Sequence, residues 1–287
     1  MTNELLDTIK KLSITESFFK NLSTELDQWD SMPSTEVLKE IVELCRSILF
    51  PGFFGNSGVN TKTLLYHMGV NIDKLHCLLI QQIRAGMGFN SVEPAKVCTN
   101  SSDKATAFIL QLPEIREKLH TDVIAAYNGD PAAKSFGEVI FCYPSIRAIS
   151  NYRIANALLN LRVPIIPRII TEMAHSETGI DIHPGATIGS YFTIDHGTGV
   201  VIGETATIGD HVKIYQGVTL GAKSFPLDEN GNPIKGIKRH PHIGNNVILY
   251  SNTTVLGTIT VGDGAIIGGN LWIDTDVAPG ARLTQKK

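Results

Sequence analysis

The stretch Val201-Ile202-Gly203-Glu204-Thr205-Ala206-Thr207-Ile208-Gly209-Asp210-His211-Val212-Lys213-Ile214-Tyr215-Gln216-Gly217-Val218-Thr219-Leu220-Gly221 carries an aliphatic residue at every sixth position: Ile202, Ile208, Ile214 and Leu220. The same step resumes at Ile243, Leu249, Val255, Val261, Ile267 and Ile273. Four residues after these positions stand small or apolar side chains: Ala206, Val212 and Val218, then Val247, Thr253, Ile259, Ala265, Leu271 and Val277. A six-residue period matches neither the helix repeat of about 3.6 residues nor the two-residue alternation of a flat strand. It matches a β-helix of short strands joined by tight turns, in which each hexad points one aliphatic inward and relies on its neighbours to bury it.

An earlier set, Ile182, Ile188 and Ile194, keeps the step but falls out of phase, because Ile194 and Ile202 lie eight residues apart instead of six. The slip falls on Asp195-His196-Gly197-Thr198-Gly199. A second break separates Leu220 from Ile243, and the long loop it creates closes on Arg239-His240-Pro241. Interruptions in a repeat protein map to loops on one face, and both of these carry a histidine beside a charge.

A formal net charge of −3 and a chain of 287 residues describe an ordinary enzyme-sized protein with no basic field for nucleic acid. No apolar run approaches the roughly 18 residues of a membrane span, and the N-terminus has none of the pattern of a signal peptide. The reading is a cytoplasmic protein with neither nucleic-acid nor membrane partner. Cys45, Cys77, Cys98 and Cys142 lie outside the repeats without paired spacing, so neither a disulfide framework nor a zinc site is expected.

Ahead of the hexads the pattern is helical. Ser34 precedes a stripe of Val37, Leu38, Ile41, Val42, Cys45, Ile48 and Leu49 that Pro51-Gly52 ends; a second stripe runs Leu75, Leu78, Leu79, Ile83. A third covers Ala105 to Ile115 with an expected interruption at Pro113, and a fourth runs from Ser145 to Leu161 and stops before Pro164. The expected architecture is α+β: an all-helical N-terminal domain over residues 1–175 and a β-helix over 176–287.

Four constellations can carry chemistry. Asp130-Pro131-Ala132 reads on its own as a helix start with Asp as cap and Pro in the first turn. Asp181-Ile182-His183-Pro184 opens the solenoid, where a polar turn is expected anyway. Asp195-His196 stands on the register slip, and an imidazole accepts a proton near neutral pH. Arg239-His240-Pro241 adds a second imidazole beside a guanidinium. Each histidine also has the ordinary reading of a solvated turn residue. Val261-Gly262-Asp263-Gly264 is not a dinucleotide fingerprint, since Ile267 stands where its third glycine belongs.

Taken in order, Asp130-Pro131-Ala132, Tyr152-Arg153, Asp181-Ile182-His183-Pro184, the string Asp195 to Thr205, Val218-Thr219-Leu220-Gly221 and Arg239-His240-Pro241 resemble the serine O-acetyltransferases. The resemblance spans roughly Asp122 to Gly280, and Asp195 to Thr205 is its most specific part. It implies a left-handed parallel β-helix, an exception to the right-handed crossover rule. It further implies acetyl transfer from acetyl-CoA, as co-substrate, to L-serine, in chains that associate as a trimer or a dimer of trimers with sites at the subunit boundaries. No metal is expected.

By the same resemblance, His196 is the general base, Asp181 orients it, and His240 is a second active-site histidine supplied across the boundary. Asp130 and Asp195 match contacts to the serine ammonium, and Arg239 matches the contact to its carboxylate. CoA maps onto Gly221, Ala222, Ser251 and Gly269, with backbone amides near Gly221 and Ala222 as oxyanion donors. The lysines Lys223, Lys235 and Lys238 read either as CoA phosphate contacts or as solubilising charge. L-Cysteine, one atom different from serine, is a family feedback inhibitor. The loop from Gly221 to Arg239 resembles a long-loop branch. The end Lys286-Lys287 lacks the isoleucine tail that docks into cysteine synthase, so that association does not carry over.

Two rivals share the fold. One is a hexapeptide O-acetyltransferase acting on a sugar or antibiotic hydroxyl, which would not need Arg239 and Asp130. The other is a γ-carbonic-anhydrase-like metal hydratase, for which His183, His196, His211, His240 and His242 supply imidazoles.

Overall fold

A computed structural model describes residues 3–13, 32–55, 59–88 and 94–285. The side chain of Cys98 and the terminal Lys286-Lys287 lie outside the described residues. Seven helices precede fourteen short strands among these residues: α1 (Asn3–Ser13), α2 (Thr35–Leu49), α3 (Leu64–Gly88), α4 (Pro94–Gly129), α5 (Phe136–Cys142), α6 (Pro144–Asn160) and α7 (Ile166–Thr178), then β1 (Asp181–Ile182), β2 (Thr187–Ile188), β3 (Thr193–Asp195), β4 (Val201–Ile202), β5 (Thr207–Ile208), β6 (Lys213–Tyr215), β7 (Thr219–Gly221), β8 (His242–Ile243), β9 (Ile248–Leu249), β10 (Thr254–Leu256), β11 (Thr260–Val261), β12 (Ile266–Ile267), β13 (Trp272–Ile273) and β14 (Arg282–Leu283).

The helices start and stop where local chemistry directs. Ser34 caps α2 by accepting from the Val37 amide at 3.4 Å, and Leu38, Ile41, Val42, Cys45, Ile48 and Leu49 form its buried stripe. One sequence expectation fails here, since α4 runs unbroken through Pro113. Pro113 is exposed, so the Ile109 carbonyl it leaves without a helical partner faces water rather than core. A second also fails: Asp130 caps no helix. It follows the last residue of α4, and the next helix, α5, is capped by Ser135.

The strands form a left-handed parallel β-helix of about five turns whose three sheets run in the orders β1-β4-β7-β10-β13, β2-β5-β8-β11 and β3-β6-β9-β12-β14. Each of the first four turns contributes one strand to each sheet, and in the last the second sheet gains only the single bridge from Val277 to Val261. Every hexad aliphatic from Ile182 to Ile273 is buried, most of them completely. The row four residues later fills the corners. Where that row holds Thr253, its buried hydroxyl is satisfied by donating to the Gly268 carbonyl at 2.9 Å.

The helices are fastened to the first turn by the Tyr152-Arg153 pair on α6. Arg153 grips buried Asp122 of α4 through Nε at 2.6 Å and Nη2 at 2.9 Å, and it also donates to the Gly189 carbonyl at 2.8 Å. Asp122 accepts the Phe192 amide at 3.0 Å, and Tyr152 donates its hydroxyl to the Ala186 carbonyl at 2.7 Å. Breaking such a buried, fully hydrogen-bonded pair on one side costs about 3–5 kcal/mol. This clamp holds the end of α4, and with it Asp130, against the first turn of the solenoid.

Candidate functional site

The register slip becomes a corner with a bulge. Residues 196–200 join β3 (Thr193–Asp195) to β4 (Val201–Ile202), whereas 216–218 suffice for the next turn, between β6 (Lys213–Tyr215) and β7 (Thr219–Gly221). The extra backbone turns through left-handed conformations at His196 (φ 59°) and Gly197 (φ 101°). At Gly197 a β-carbon would meet the Ile180 side chain at 2.5 Å, so the bulge lies flat on the residue below and pushes His196 outward. A non-glycine residue held at positive φ is strained, and such strain gathers at functional sites.

At this slip corner a cavity of about 300 Å³ is lined by Asp130, Tyr143, Asp195, His196, Lys213 and the neighbouring ends of α4 and α6. The Asp130 carboxylate accepts the Tyr143 hydroxyl at 2.5 Å and the Ala132 amide at 2.8 Å. These bonds, the Tyr143 one first, hold its carboxyl below the usual range, and the same bond pushes the Tyr143 phenol up to about 12. Asp195 forms an ion pair with Lys213 at 2.9 Å and lies 3.8 Å from His196 Nε2. The His196 side chain is 78 % exposed.

Arg239 and His240 occupy a different edge of the prism, the loop corner between the first and second sheets. Thr205 organises it. Its hydroxyl accepts the Arg239 amide at 2.9 Å and stands 2.8 Å from His240 Nδ1, while its own amide donates to Nδ1 at 3.1 Å. With Nδ1 accepting, a neutral His240 carries its proton on Nε2. Burial, then the adjacent Arg239 charge, lowers the His240 pKa to about 4. The ring packs flat on the chain below: a β-carbon at Gly203 would meet it at 2.1 Å, so only glycine fits. Arg239 Nη2 pairs with Glu204 at 2.6 Å. Burial raises the Glu204 carboxyl, but the Arg239 contact outweighs it and the net direction is down.

Sequence-identified residues therefore separate into groups. Asp130, Asp195 and His196 come together at the slip corner; Arg239 and His240 come together at the loop corner; one sheet face lies between them, with Val201 and Trp272 exposed on it. The CoA residues split in the same way. Ser251 and Gly269 stack at the slip-corner edge, where the Asn270 amide donates to the Ser251 carbonyl at 2.9 Å, whereas Gly221 and Ala222 begin the loop. Asp181 stands on β1 beneath the slip corner, yet no hydrogen bond or ion pair to His196 is among its contacts; its carboxylate lies within 4.8 Å of Glu172 and His175.

That trio is the one group among the described residues that could hold a metal ion. Arg168 already pairs with Glu172, and Glu172 with His175 at 3.2 Å. The histidines required by a metal hydratase do not converge within the chain: His196 sits at one corner, His183 and His240 at another, His211 stacks on Tyr191, and His242 bonds Thr207 at 2.7 Å.

Sequence reasoning missed Tyr143, Thr205 as an organiser, and Lys213. Lys213 had a usable signal, because its place one residue before a hexad aliphatic makes it outward-facing and its Cα partner in the preceding turn is Thr193, two residues from Asp195.

Compared with known proteins, the chain is 50% identical over 266 residues to the plasmid serine acetyltransferase of Synechococcus elongatus, covering 90% of this chain and 83% of that one. It is 45% identical over 159 residues to the serine acetyltransferase of Bacillus subtilis, covering 55% and 69%. Among solved structures it resembles Entamoeba histolytica serine acetyltransferase 1 in complex with L-cysteine, with a TM-score of 0.76, 39% identity and coverage of 89% and 88%. The isoform 3 enzyme of the same organism, in complex with cysteine, gives 0.73 at 34% identity over 100% and 94%. No family model matches the chain.

Proposed function

The chain belongs to the serine acetyltransferase family, and from that membership we propose that its reaction takes place where the slip corner of one copy meets the loop corner of the next. It is an acyltransferase that acetylates the hydroxyl of serine. The acetyl donor is acetyl-CoA. One observation supports the reading: two carboxylates line a cavity at one corner of the chain, and a guanidinium stands at another.

In this reading Asp130 and Asp195 receive the serine ammonium, and Arg239 of the neighbouring subunit receives its carboxylate with the side of its fork not used by Glu204. Held at both ends, the hydroxyl lies before His196. As its oxygen attacks the thioester carbonyl carbon, the serine proton passes to His196; the tetrahedral oxyanion then collapses, the carbon–sulfur bond breaks, and His196 returns the proton to the CoA thiolate. His240, neutral with its proton on Nε2, is a hydrogen-bond donor at the boundary. Asp181 becomes the orienting carboxylate once His196 turns inward from its exposed position. CoA lies along the groove between copies, with Ser251 and Gly269 on one side and Gly221 and Ala222 on the other. A threefold ring satisfies this geometry because each contact is heterologous and closes after three steps. The helices offer a further surface for a dimer of trimers, and L-cysteine competes for the ammonium and carboxylate contacts. The unpaired Cys45, Cys77 and Cys142 support a cytoplasmic setting.

Thiol release from acetyl-CoA with and without L-serine tests the reading. Release is expected to require serine, and His196→Ala is expected to lower kcat about 10²–10⁴-fold with little change in CoA binding. An equally active His196→Ala chain contradicts the assignment of the base.

A further inference from the structure

Lys213 belongs to none of the motifs that carried the family resemblance, yet among the described residues it is the only lysine lining the slip-corner cavity. It leaves β6 one turn above Asp195 and reaches into the cavity wall, where its side chain is 19% exposed. Its ammonium forms the 2.9 Å ion pair with Asp195 and donates at 2.7 Å to the carbonyl of Gly129, the last residue of α4. Its third neighbour is the Tyr215 ring, 4.7 Å away. A β-carbon on residue 129 would stand 3.6 Å from Nζ, an ordinary contact, so the tie to this carbonyl does not depend on glycine.

Two consequences follow from elementary electrostatics. A cation at a helix C-terminus is favourable, and here it joins the helix carrying Asp130 next in sequence to the strand carrying Asp195. The two carboxylates are thereby held on opposite walls of one cavity. The charged and titratable groups around the ammonium are Asp195 from β3, Asp130 from the segment after α4, His196 from the bulge, Cys142 at the end of α5, Tyr143 from the junction of α5 and α6, and Tyr215 from β6. Two carboxylates against one ammonium leave the cavity with one uncompensated negative charge, the complement of one further ammonium. Without Lys213 there would be two, which overstabilises a protonated His196 and sets two anions against each other.

We propose that Lys213 is a positioning residue of the serine site: it ties Asp195 to the end of α4 and cancels one of the pocket's two negative charges, so that the pocket takes a substrate with a single ammonium while His196 stays unprotonated. The proposal rests on the assignment of Asp130 and Asp195 to the serine ammonium.

The test is steady-state kinetics of the full-length chain carrying Lys213→Met, Lys213→Arg or Asp195→Asn, with KM for serine and for acetyl-CoA measured separately and kcat/KM followed from pH 5 to 9. Lys213→Met is expected to raise the serine KM about tenfold, to leave the acetyl-CoA KM within about twofold, and to move the acid limb of kcat/KM up by about half to one pH unit. Lys213→Arg keeps the charge, so its acid limb stays at the wild-type position. A Lys213→Met chain that loses thermal stability or kcat with an unmoved acid limb and serine KM has lost only a structural tie, and the proposal is overturned. If Lys213→Met does not fold, Lys213→Arg decides, because a displaced acid limb in that variant contradicts the charge argument. Asp195→Asn separates the two layers. An unchanged serine KM there removes the site assignment itself, whereas a raised one beside a wild-type-like Lys213→Met removes only the role of Lys213.

Discussion

The slip corner and the loop corner each present a histidine next to a charged residue, and they are constructed in opposite ways. His196 stands on a strained bulge, 78% exposed, facing a cavity with carboxylates on its walls. His240 is 6% exposed, packed on Gly203, fixed in one tautomer by Thr205 and flanked by an arginine already paired with Glu204. One corner is open and anionic, and the other is closed, with its guanidinium already matched by a carboxylate. A pocket of the first kind receives a substrate, and a surface of the second kind is finished before it meets one. Their separation across a sheet face explains why neither looks complete alone.

The closed corner should fail first under acid. Because the folded pKa of His240 lies below its ordinary 6.5, the unfolded chain takes up a proton that the native chain refuses as pH falls from 6.5 toward 4. The stabilisation is fully present above pH 6.5 and is lost progressively through that window. His183, also lowered chiefly by burial, acts in the same direction. Urea unfolding at pH 7.5 and pH 4.5 measures the effect. His240→Gln should show a shallower decline than wild type, and identical slopes would mean that the ring is not held neutral by its surroundings.

The charge of the loop corner gives a slightly smaller effect. Arg239→Ala removes a charge-assisted contact and is expected to raise the serine KM by the equivalent of roughly 1.5–3 kcal/mol, while the acetyl-CoA KM changes little. L-Cysteine inhibition should weaken in parallel, because the same two end groups hold both amino acids. A variant that keeps its serine KM and its cysteine inhibition would reduce Arg239 to a partner of Glu204.

The solenoid was legible because its period is physical: each aliphatic must be buried by the turns beside it, so Ile182 to Ile273 announce the strands without any tertiary knowledge. The slip was legible as an outward bulge for the same reason, since two residues too many between Ile194 and Ile202 must leave the wall somewhere. Pro113 misled because a proline's cost depends on whether the carbonyl it abandons meets water, and exposure is a tertiary property. Asp130-Pro131-Ala132 misled in the same way: its carboxylate is taken by Tyr143 and the Ala132 amide and not by a helix start. For Lys213 the hexad register records its nearness to the strand of Asp195, but its other partner is the end of a helix 84 residues earlier, which no local pattern records. The absence of an Asp181 bond to His196 is likewise a matter of side-chain direction, which residue spacing does not contain.

The central claim, that one copy's open corner is completed by the next copy's closed corner, is tested most directly by mixing two inactive chains. One carries His196→Ala and the other Arg239→Ala with His240→Ala, and the two are co-expressed and purified together. In a threefold ring assembled at random, about one quarter of the boundaries pair an intact His196 with an intact Arg239 and His240 from the neighbour. The account predicts that serine-dependent thiol release recovers to about that fraction of wild type. Mixed assemblies that form and remain as inactive as either parent would contradict it, because each chain would then have to build its site from its own residues alone.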